Sequence, residues 1–461
     1  MIINNKEEKQ ERTKENKMGT QPVAPLLMSM ALPPMLSMFM QYTYNFVDCM
    51  FVSWVGEEEL TAVSLAFPVT TLILSVSIGL GVGTNALIAR HLGAKNQDGA
   101  NNIVTHSLIL SSVLGILLTM IVLLLIKPFF SAFTDDPTIY QLGLDYTYIV
   151  AFMVFGNMVH ISIQKIIQAT GNMIAPMLFQ MAGVLLNFVL DPILIFGLFG
   201  MPEMGVKGAA IATVLGYILS MLLAFYVLIF TKQKVKIKKT GFHIEWKLFV
   251  EILTVGLPSL IMNALGAFMV IFANIFLITF SMTAVAFFGI YFKLQQLITM
   301  TVNGLIQGCM PIMGYNYGAG NRPRLMETFK TGTVFAVIMM GIGTMTLWIF
   351  PEQALGIFNA SDDMIDFGIP ALRIMSASYV LAAFGFMFAS FFQATGRVGY
   401  SLIINLLRQL VLLVPFMWIL SYTTGIEGVW WSFLVAEIIT TIICIFLFYE
   451  QEIKGISMKL V

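Results

Sequence analysis

Residues 168–171 read QATG, and residues 393–396 read QATG again. The copies stand 225 positions apart, and that offset recurs. It sets GAKN at 93–96 over GAGN at 318–321, and it pairs Pro33 with Pro258, Gly79 with Gly304, Gly83 with Gly308, Phe133 with Phe358 and Gly143 with Gly368. So many short identities at one shift mark an internal duplication.

Composition says what one copy is made of. Of 461 residues, 58% are hydrophobic and only 11% charged, with mean hydropathy +0.86, whereas soluble domains carry about 25% charged residues. The chain reads as an integral membrane protein. Runs of spanning length, about 20 apolar residues each, fall at 24–53, 60–88, 103–126, 138–161, 174–199 and 208–230 in the first copy. In the second they fall at 250–280, 284–314, 328–350, 367–392, 398–420 and 428–449. The expectation is an all-α membrane fold of twelve transmembrane helices in two six-helix bundles. With six helices per copy, both copies start on the same face, so the repeats are parallel and related by a pseudo-two-fold axis along the membrane normal. The segments are a tail at 1–22, an N-lobe at 23–230, a linker at 231–247, a C-lobe at 248–450 and a tail at 451–461. No stretch is left for a soluble catalytic domain.

Net charge is zero, from 25 basic and 25 acidic residues, so nothing points to a nucleic-acid partner. Outside the helices, Lys127 and Lys207 are the only basic residues not in the tails or the even-numbered connections, and the linker is rich in lysine. The positive-inside rule then puts both termini and the linker in the cytosol. The acidic clusters Glu57-Glu58-Glu59 and Asp362-Asp363 face outward. Cys49, Cys309 and Cys444 show no paired spacing and read as small buried hydrophobes, with neither a disulfide nor a metal site expected.

Two carboxylates stand out. Asp48 and Asp191 lie inside apolar runs, where a charge costs roughly 2.5 to 3.5 kcal/mol and usually marks an ion or proton route. Shifting by 225 places Asp48 on Ala273 and Asp191 on Phe416, so neither has a counterpart in the second copy, and a symmetric structural duty does not explain them. At 1.5 Å per residue, Asp48 lies about 35 Å along its helix and Asp191 about 26 Å, both in the outer half. Asn187 precedes Asp191 by one turn and shares its face. Pro192 has no amide for the Phe188 carbonyl, so a carboxamide, two carboxylates and a carbonyl form a candidate oxygen cage for Na⁺. Burial equally favours the protonated carboxyl, so the residues leave H⁺ and Na⁺ open. Tyr44, one turn before Asp48, and Thr213 can donate hydrogen bonds to such a site. Pro33, Pro192 and Pro258 interrupt helix bonding and are candidate hinges.

The second copy carries Lys293, Arg373, Arg408 and Glu437 instead, a candidate polar lining in which Arg408 and Glu437 suit an internal salt bridge. Asn157, His160 and Gln164 form a polar stripe read as a wet helix end. The paired turns GA-x-N and QATG read as helix terminators, where glycine supplies backbone freedom. With 32 methionines and 38 phenylalanines, a cleft lined by such side chains repacks around dissimilar apolar ligands.

These features together carry a resemblance: the two repeats, YNFVDCMFV at 44–52, LGAKN at 92–96, QATGN at 168–172 and LNFVLDPILIFG at 186–197. Over roughly 23–450 the chain resembles the MATE (multidrug and toxic compound extrusion) transporters, nearest to the bacterial DinF-like branch that includes MepA-type exporters. The resemblance implies a secondary antiporter, not an enzyme. It would be a monomer in a bacterial cytoplasmic membrane, in contact with lipid, using no cofactor and exchanging H⁺ or Na⁺ for amphiphilic, often cationic, drugs or metabolites. It also implies that Asp48, Asn187 and Asp191 form the cation site, with Tyr44 and Thr213 beside it and Pro33 as the bending proline. The acidic C-lobe site of the NorM-like branch has no match here. A lipid-linked saccharide flippase is the alternative, but such a cleft needs several basic residues for pyrophosphate, and only Lys293, Arg373 and Arg408 qualify. No His-Glu-x-x-His pair, Gly-x-Ser-x-Gly elbow or phosphate loop suggests an enzyme.

Overall fold

In a computed structural model of the chain, residues 16–238, 241–358 and 362–453 are described. Most of the N-terminal tail, positions 239–240 of the linker and the end of the C-terminal tail lie outside them, as do the side chains of Glu57, Asp362 and Asp363 in the two acidic clusters. The described chain is helical: α1 Lys17–Thr20, α2 Val23–Val55, α3 Glu57–Gly93, α4 Gln97–Phe133, α5 Pro137–Ala151, α6 Val154–Ala169, α7 Ile174–Phe196 and α8 Val206–Phe230. The second half continues with α9 Trp246–Leu277, α10 Met282–Gly318, α11 Arg322–Ile349, α12 Pro351–Gly356, α13 Asp362–Ala394, α14 Val398–Leu406, α15 Leu413–Thr424 and α16 Ile426–Ile453.

Among the described residues eleven spans are long and apolar enough to cross a membrane, and α5 with α6, bent by 45°, brings the number to twelve when the pair is taken as one span. The sequence reading had one run at 138–161 there. No proline marks the break. Instead, the Met153 amide bonds the Val150 carbonyl three residues back, at 2.9 Å, and the Thr119 hydroxyl of α4 reaches the Ala151 carbonyl at 3.3 Å. A side chain inserted into the helical ladder is a known cause of a kink.

The chain divides into two compact units. The C-unit holds the described residues up to Met35, Gly93–Lys95, and those from Ile261 onward; the N-unit holds Leu36–Leu92 and Asn96–Leu260. The divisions inside α2 and α9 each fall two residues after a proline, Pro33 and Pro258, again one offset apart. Repeated glycines explain the packing on either side. In the C-unit a Cβ on Gly308 would stand 2.8 Å from the Ala31 backbone, and one on Gly304 would stand 2.7 Å from the Met35 Cα. In the N-unit a Cβ on Gly83 would stand 2.1 Å from the Ile252 carbonyl oxygen, and one on Gly79 would stand 2.7 Å from the Leu260 Cβ. Each glycine pair on α3 or α10 therefore seats the first half of a proline-bearing helix at backbone contact. Nothing larger fits.

The repeated turns also have a local cause. Asn96 and Asn321 are N-caps, accepting from the Gly99 amide at 2.8 Å and the Arg324 amide at 3.2 Å, as Asn does at helix starts. Gly171 and Gly396 of the two QATG segments take φ of 88° and 82°, the left-handed conformation glycine permits. The linker is strapped to α4: the Lys236 amide donates to Asn101 Oδ1, the Lys238 amide to Thr105 Oγ1 and the Glu245 amide to His106 Nε2, each at 2.8 Å.

Gly83→Ala should lower the unfolding midpoint in detergent, costing about 1–3 kcal/mol of overpacking. Gly341→Ala, with nothing within 4 Å of its added Cβ, should leave the midpoint unchanged. Equal midpoints for the two variants would contradict the seat.

Candidate functional site

Four helices of the N-unit bring the sequence-predicted residues together. Tyr44 and Asp48 come from α2, Asn187 and Asp191 from α7 and Thr213 from α8, and Tyr146 of α5 joins them. Asp191 is fully buried and Asp48 is 9% exposed. Both sit on faces that the sequence makes apolar around them. Val52, Ile195 and Ala209 form one cluster beside the carboxylates, and Ala66, Phe130, Leu144, Tyr146 and Ala210 belong to a second.

Hydrogen bonding fixes the Asn187 carboxamide. Its two ends are told apart only by their partners. With nitrogen towards Tyr44, 2.9 Å away, the carboxamide oxygen would face the carboxylate, acceptor on acceptor. Turned over, Nδ2 donates to Asp191 Oδ2 at 2.8 Å and Oδ1 at 3.1 Å, while the Asn187 oxygen accepts from Tyr44 Oη at 2.9 Å and Thr213 Oγ1 at 3.2 Å. The second orientation satisfies both ends, and we adopt it. Tyr44 Oη and Thr213 Oγ1 are themselves 3.0 Å apart.

Charge is not balanced in the same way. No basic side chain forms an ion pair with Asp48 or Asp191 among the described residues, and Asp48 Oδ1 is buried with no hydrogen-bond partner there. The two carboxylates are close enough to interact electrostatically with each other. Like charges in a low-dielectric setting are held together only if a proton or a cation neutralises them. With neutral donors and no basic partner among the described residues, the group has the chemistry to accept a proton or a cation. Phe188, whose carbonyl Pro192 leaves without an amide, follows Asn187 on α7, and its side chain is 44% exposed. Pro192 itself sits inside α7, which runs on to Phe196 before Gly197 ends it at φ 69°.

Sequence reasoning missed Tyr146, which is buried and interacts electrostatically with both carboxylates. The duplication held the signal, because Tyr146 maps onto Ala371 and is specific to the first copy in the same way as the aspartates. A second miss is the polar stripe of α6. Asn157, His160 and Gln164 are all buried, so they are not a wet helix end. Gln164 Nε2 donates to Gln180 Oε1 of α7 at 2.7 Å, and Gln180 Nε2 donates to Gln41 Oε1 of α2 at 2.6 Å, so two helices cover the stripe.

The C-unit treats its charges differently. Arg408 is buried and meets Glu437 through Nε at 3.0 and 3.1 Å and Nη2 at 2.8 Å, the internal salt bridge the sequence suggested. A π-helical turn, Leu407–Val411, carries Arg408, its guanidinium lies 4.2 Å from the Phe386 ring centroid, and Gly385 leaves room for it. Lys293 and Arg373 are exposed instead. Lys293 Nζ lies 5.8 Å from the Phe358 ring centroid, and Arg373 Nη2 donates to the Trp348 carbonyl at 3.3 Å.

Known proteins resemble the chain over nearly its whole length. The multidrug export protein MepA of Staphylococcus aureus is 26% identical over 438 residues, spanning 93% of this chain and 94% of that protein. A FAD transporter of Shewanella oneidensis is 26% identical over 92% of this chain and 94% of its own. Among solved structures, the outward-facing conformation of a multidrug resistance MATE family transporter superposes with a TM-score of 0.88 at 30% identity, covering 96% of this chain and all of that one. The MatE family model matches twice, at residues 33–193 and 258–419, so it finds the duplication independently. This multi-pass membrane protein belongs to the MatE family of transporters.

Proposed function

We propose that the protein is a multidrug efflux antiporter that exchanges H⁺ or Na⁺ for amphiphilic, often cationic, drugs or metabolites. The observation that carries the reading is the buried pair Asp48 and Asp191, which has neutral donors but no basic partner. A cation entering from outside neutralises the pair and favours one access state; the drug, taken from the cytosol or inner leaflet, favours the other. Exchange follows because a ligand shifts a conformational equilibrium only by its differential affinity for the two states. Pro33 and Pro258 are the proposed flexing points, supported by the unit divisions that follow each of them. Both termini lie in the cytosol in this reading, which rests on the distribution of lysine and arginine. The names of the relatives, a multidrug export protein and a FAD transporter, support transport of organic solutes. A saccharide-lipid flippase would need clustered free cations, and Arg408 is already engaged by Glu437.

Reconstituted vesicles with an imposed pH or Na⁺ gradient, and no other protein, test the reading. Uptake of a fluorescent cation should follow one of the two gradients, and Asp191→Asn or Asp48→Asn should reduce it roughly tenfold or more. Wild-type uptake by Asp191→Asn at equal protein density would sink the proposal.

Tyr44→Phe removes one donor to Asn187 and should cost about 1–3 kcal/mol of stability, read as a lowered unfolding midpoint with coupled transport weakened. For the C-unit pair, Arg408→Leu alone strands a buried carboxylate and should cost about 3–5 kcal/mol, while the double variant Arg408→Leu/Glu437→Leu should recover most of it. If the double variant is stable but inactive, the pair takes part in transport.

A further inference from the structure

We propose that His106 is a positioning residue that, in its neutral form, clasps the linker and the start of α9 against α4, and that releases them when it is protonated. Its bearing on transport rests on the antiport reading above.

The clasp is built on the first turns of α4, within the N-unit. That helix has 37 residues, about 55 Å of rise against about 30 Å of hydrocarbon, so it reaches past the membrane core at its ends. Gln97, Asn101, Asn102, Thr105 and His106 recur at spacings of three and four and share one polar face. The linker lies on that face. Gln97 Nε2 donates to the Lys234 carbonyl at 2.7 Å, the Lys236 and Lys238 amides donate to Asn101 and Thr105, and Asn102 Nδ2 donates to Glu245 Oε1 at 2.7 Å. His106 takes the amide of Glu245, the residue immediately before α9.

Both ring nitrogens of His106 are engaged, and their partners assign the tautomer. Nε2 accepts from the Glu245 amide at 2.8 Å, so the proton is on Nδ1, which donates to the Asn102 carbonyl at 2.9 Å. An imidazolium carries a proton on both nitrogens. Protonation therefore sets N–H against N–H at Nε2, and the Glu245 amide loses its acceptor. The ring is fully buried, packed against Phe242 of the linker and Phe249 of α9 at 5.0 and 4.9 Å between centroids. Glu245 is exposed, so the linker has the room to move. An imidazolium here has the Glu245 carboxylate on the linker side, while Lys238 is paired with Asp98 of α4 at 2.8 Å. His243 and Lys247 are exposed, and Glu251 of α9 interacts electrostatically with His91 of α3.

The duplication supplies an independent argument. Shifted by 225, Asn101 falls on Met326, Asn102 on Glu327, Thr105 on Lys330 and His106 on Thr331, so α11 does not repeat these hooks. In the C-unit the segment ahead of α2 is held by other means: Asn316 Nδ2 of α10 and Arg324 Nε of α11 each donate to the Met18 carbonyl at 3.0 Å. Arginine stays charged at any physiological pH. Each proline-bearing helix thus starts from an anchored strap, one permanent and one titratable. The titratable strap leads into the half of α9 that sits on Gly79 and Gly83, ahead of Pro258. Where H⁺ drives the exchange, every turnover delivers protons to the cytosol, and a clasp that opens on acidification slows further entry.

Full-length protein in liposomes gives two readouts: hydrogen exchange of the linker amides, relative to an unstructured peptide at the same pH, and uptake of a fluorescent cation at a fixed pH difference. From about pH 8 to about pH 5.5, a range in which imidazoles titrate, wild-type protection of peptides carrying the Lys236, Lys238 and Glu245 amides should fall about tenfold. His106→Gln, whose carboxamide oxygen accepts but does not titrate, should keep its protection throughout. At about pH 5.5 it should transport about fivefold or more faster than wild type. His106→Leu, which has no acceptor, should show at about pH 8 the low protection and slow transport of acid wild type, so the test survives misfolding of one variant. Equal loss of protection in wild type and His106→Gln, or no loss in wild type, overturns the proposal. Wild-type transport by His106→Leu at about pH 8 with the linker unprotected also overturns it, because the clasp then positions nothing that transport needs. Asp191→Asn should keep the wild-type exchange pattern, and full transport by that variant overturns the antiport reading while the clasp stands.

Discussion

Two carboxylates buried without a basic partner set the terms for the rest of the N-unit. Each costs roughly 2.5 to 3.5 kcal/mol inside a membrane on insertion scales, and their mutual repulsion adds to it. Neutral donors offset part of the cost, which is why Asn187 turns its nitrogen to Asp191 and hands its oxygen to Tyr44 and Thr213. They cannot remove the net charge. A fixed lysine would remove it permanently, and the C-unit shows that solution in Arg408 and Glu437. In the proposed reading the N-unit leaves neutralisation to a proton or cation from solution, so its electrostatic energy depends on occupancy.

Much of this was legible in the sequence because it depended on local spacing and on comparison of one copy with the other. The offset of 225 gave the duplication, hydropathy gave the spans, and subtraction singled out Asp48 and Asp191. Helical periodicity was enough to place Asn187 on the face of Asp191. What stayed hidden depended on tertiary partners. The bend between α5 and α6 has no proline, and it falls where the Met153 amide bonds the Val150 carbonyl three residues back. The stripe at Asn157, His160 and Gln164 looks wet until α7 and α2 are laid over it. The glycines at 79, 83, 304 and 308 read as markers of the repeat, and only their contacts show them as seats for helix segments.

Those seats and the prolines act together. A helix held at backbone distance by two glycines has no room to slide or rotate without a clash, so in the proposed exchange α2 and α9 flex where the constraint ends. That place is one turn from Pro33 and Pro258, where the missing amide has already weakened the helix. In the proposed exchange these joints supply the freedom, and the carboxylates supply the bias.

The asymmetry of the copies then bears on the direction of coupling. If both units carried compensated pairs such as Arg408 and Glu437, no cation would bind one access state better than the other, and a gradient would drive nothing. If both carried bare carboxylates, two sites would have to fill before either state was neutral. A single uncompensated site lets one occupancy decide the equilibrium. By linkage, the factor by which the cation disfavours the drug-binding state is the factor by which the drug disfavours the cation. Coupling of this kind needs no contact between drug and carboxylate. It needs only that burial of the Asp48 and Asp191 pair be more complete in one access state than in the other, so that the same two side chains are tolerable empty on one side of the cycle and costly on the other.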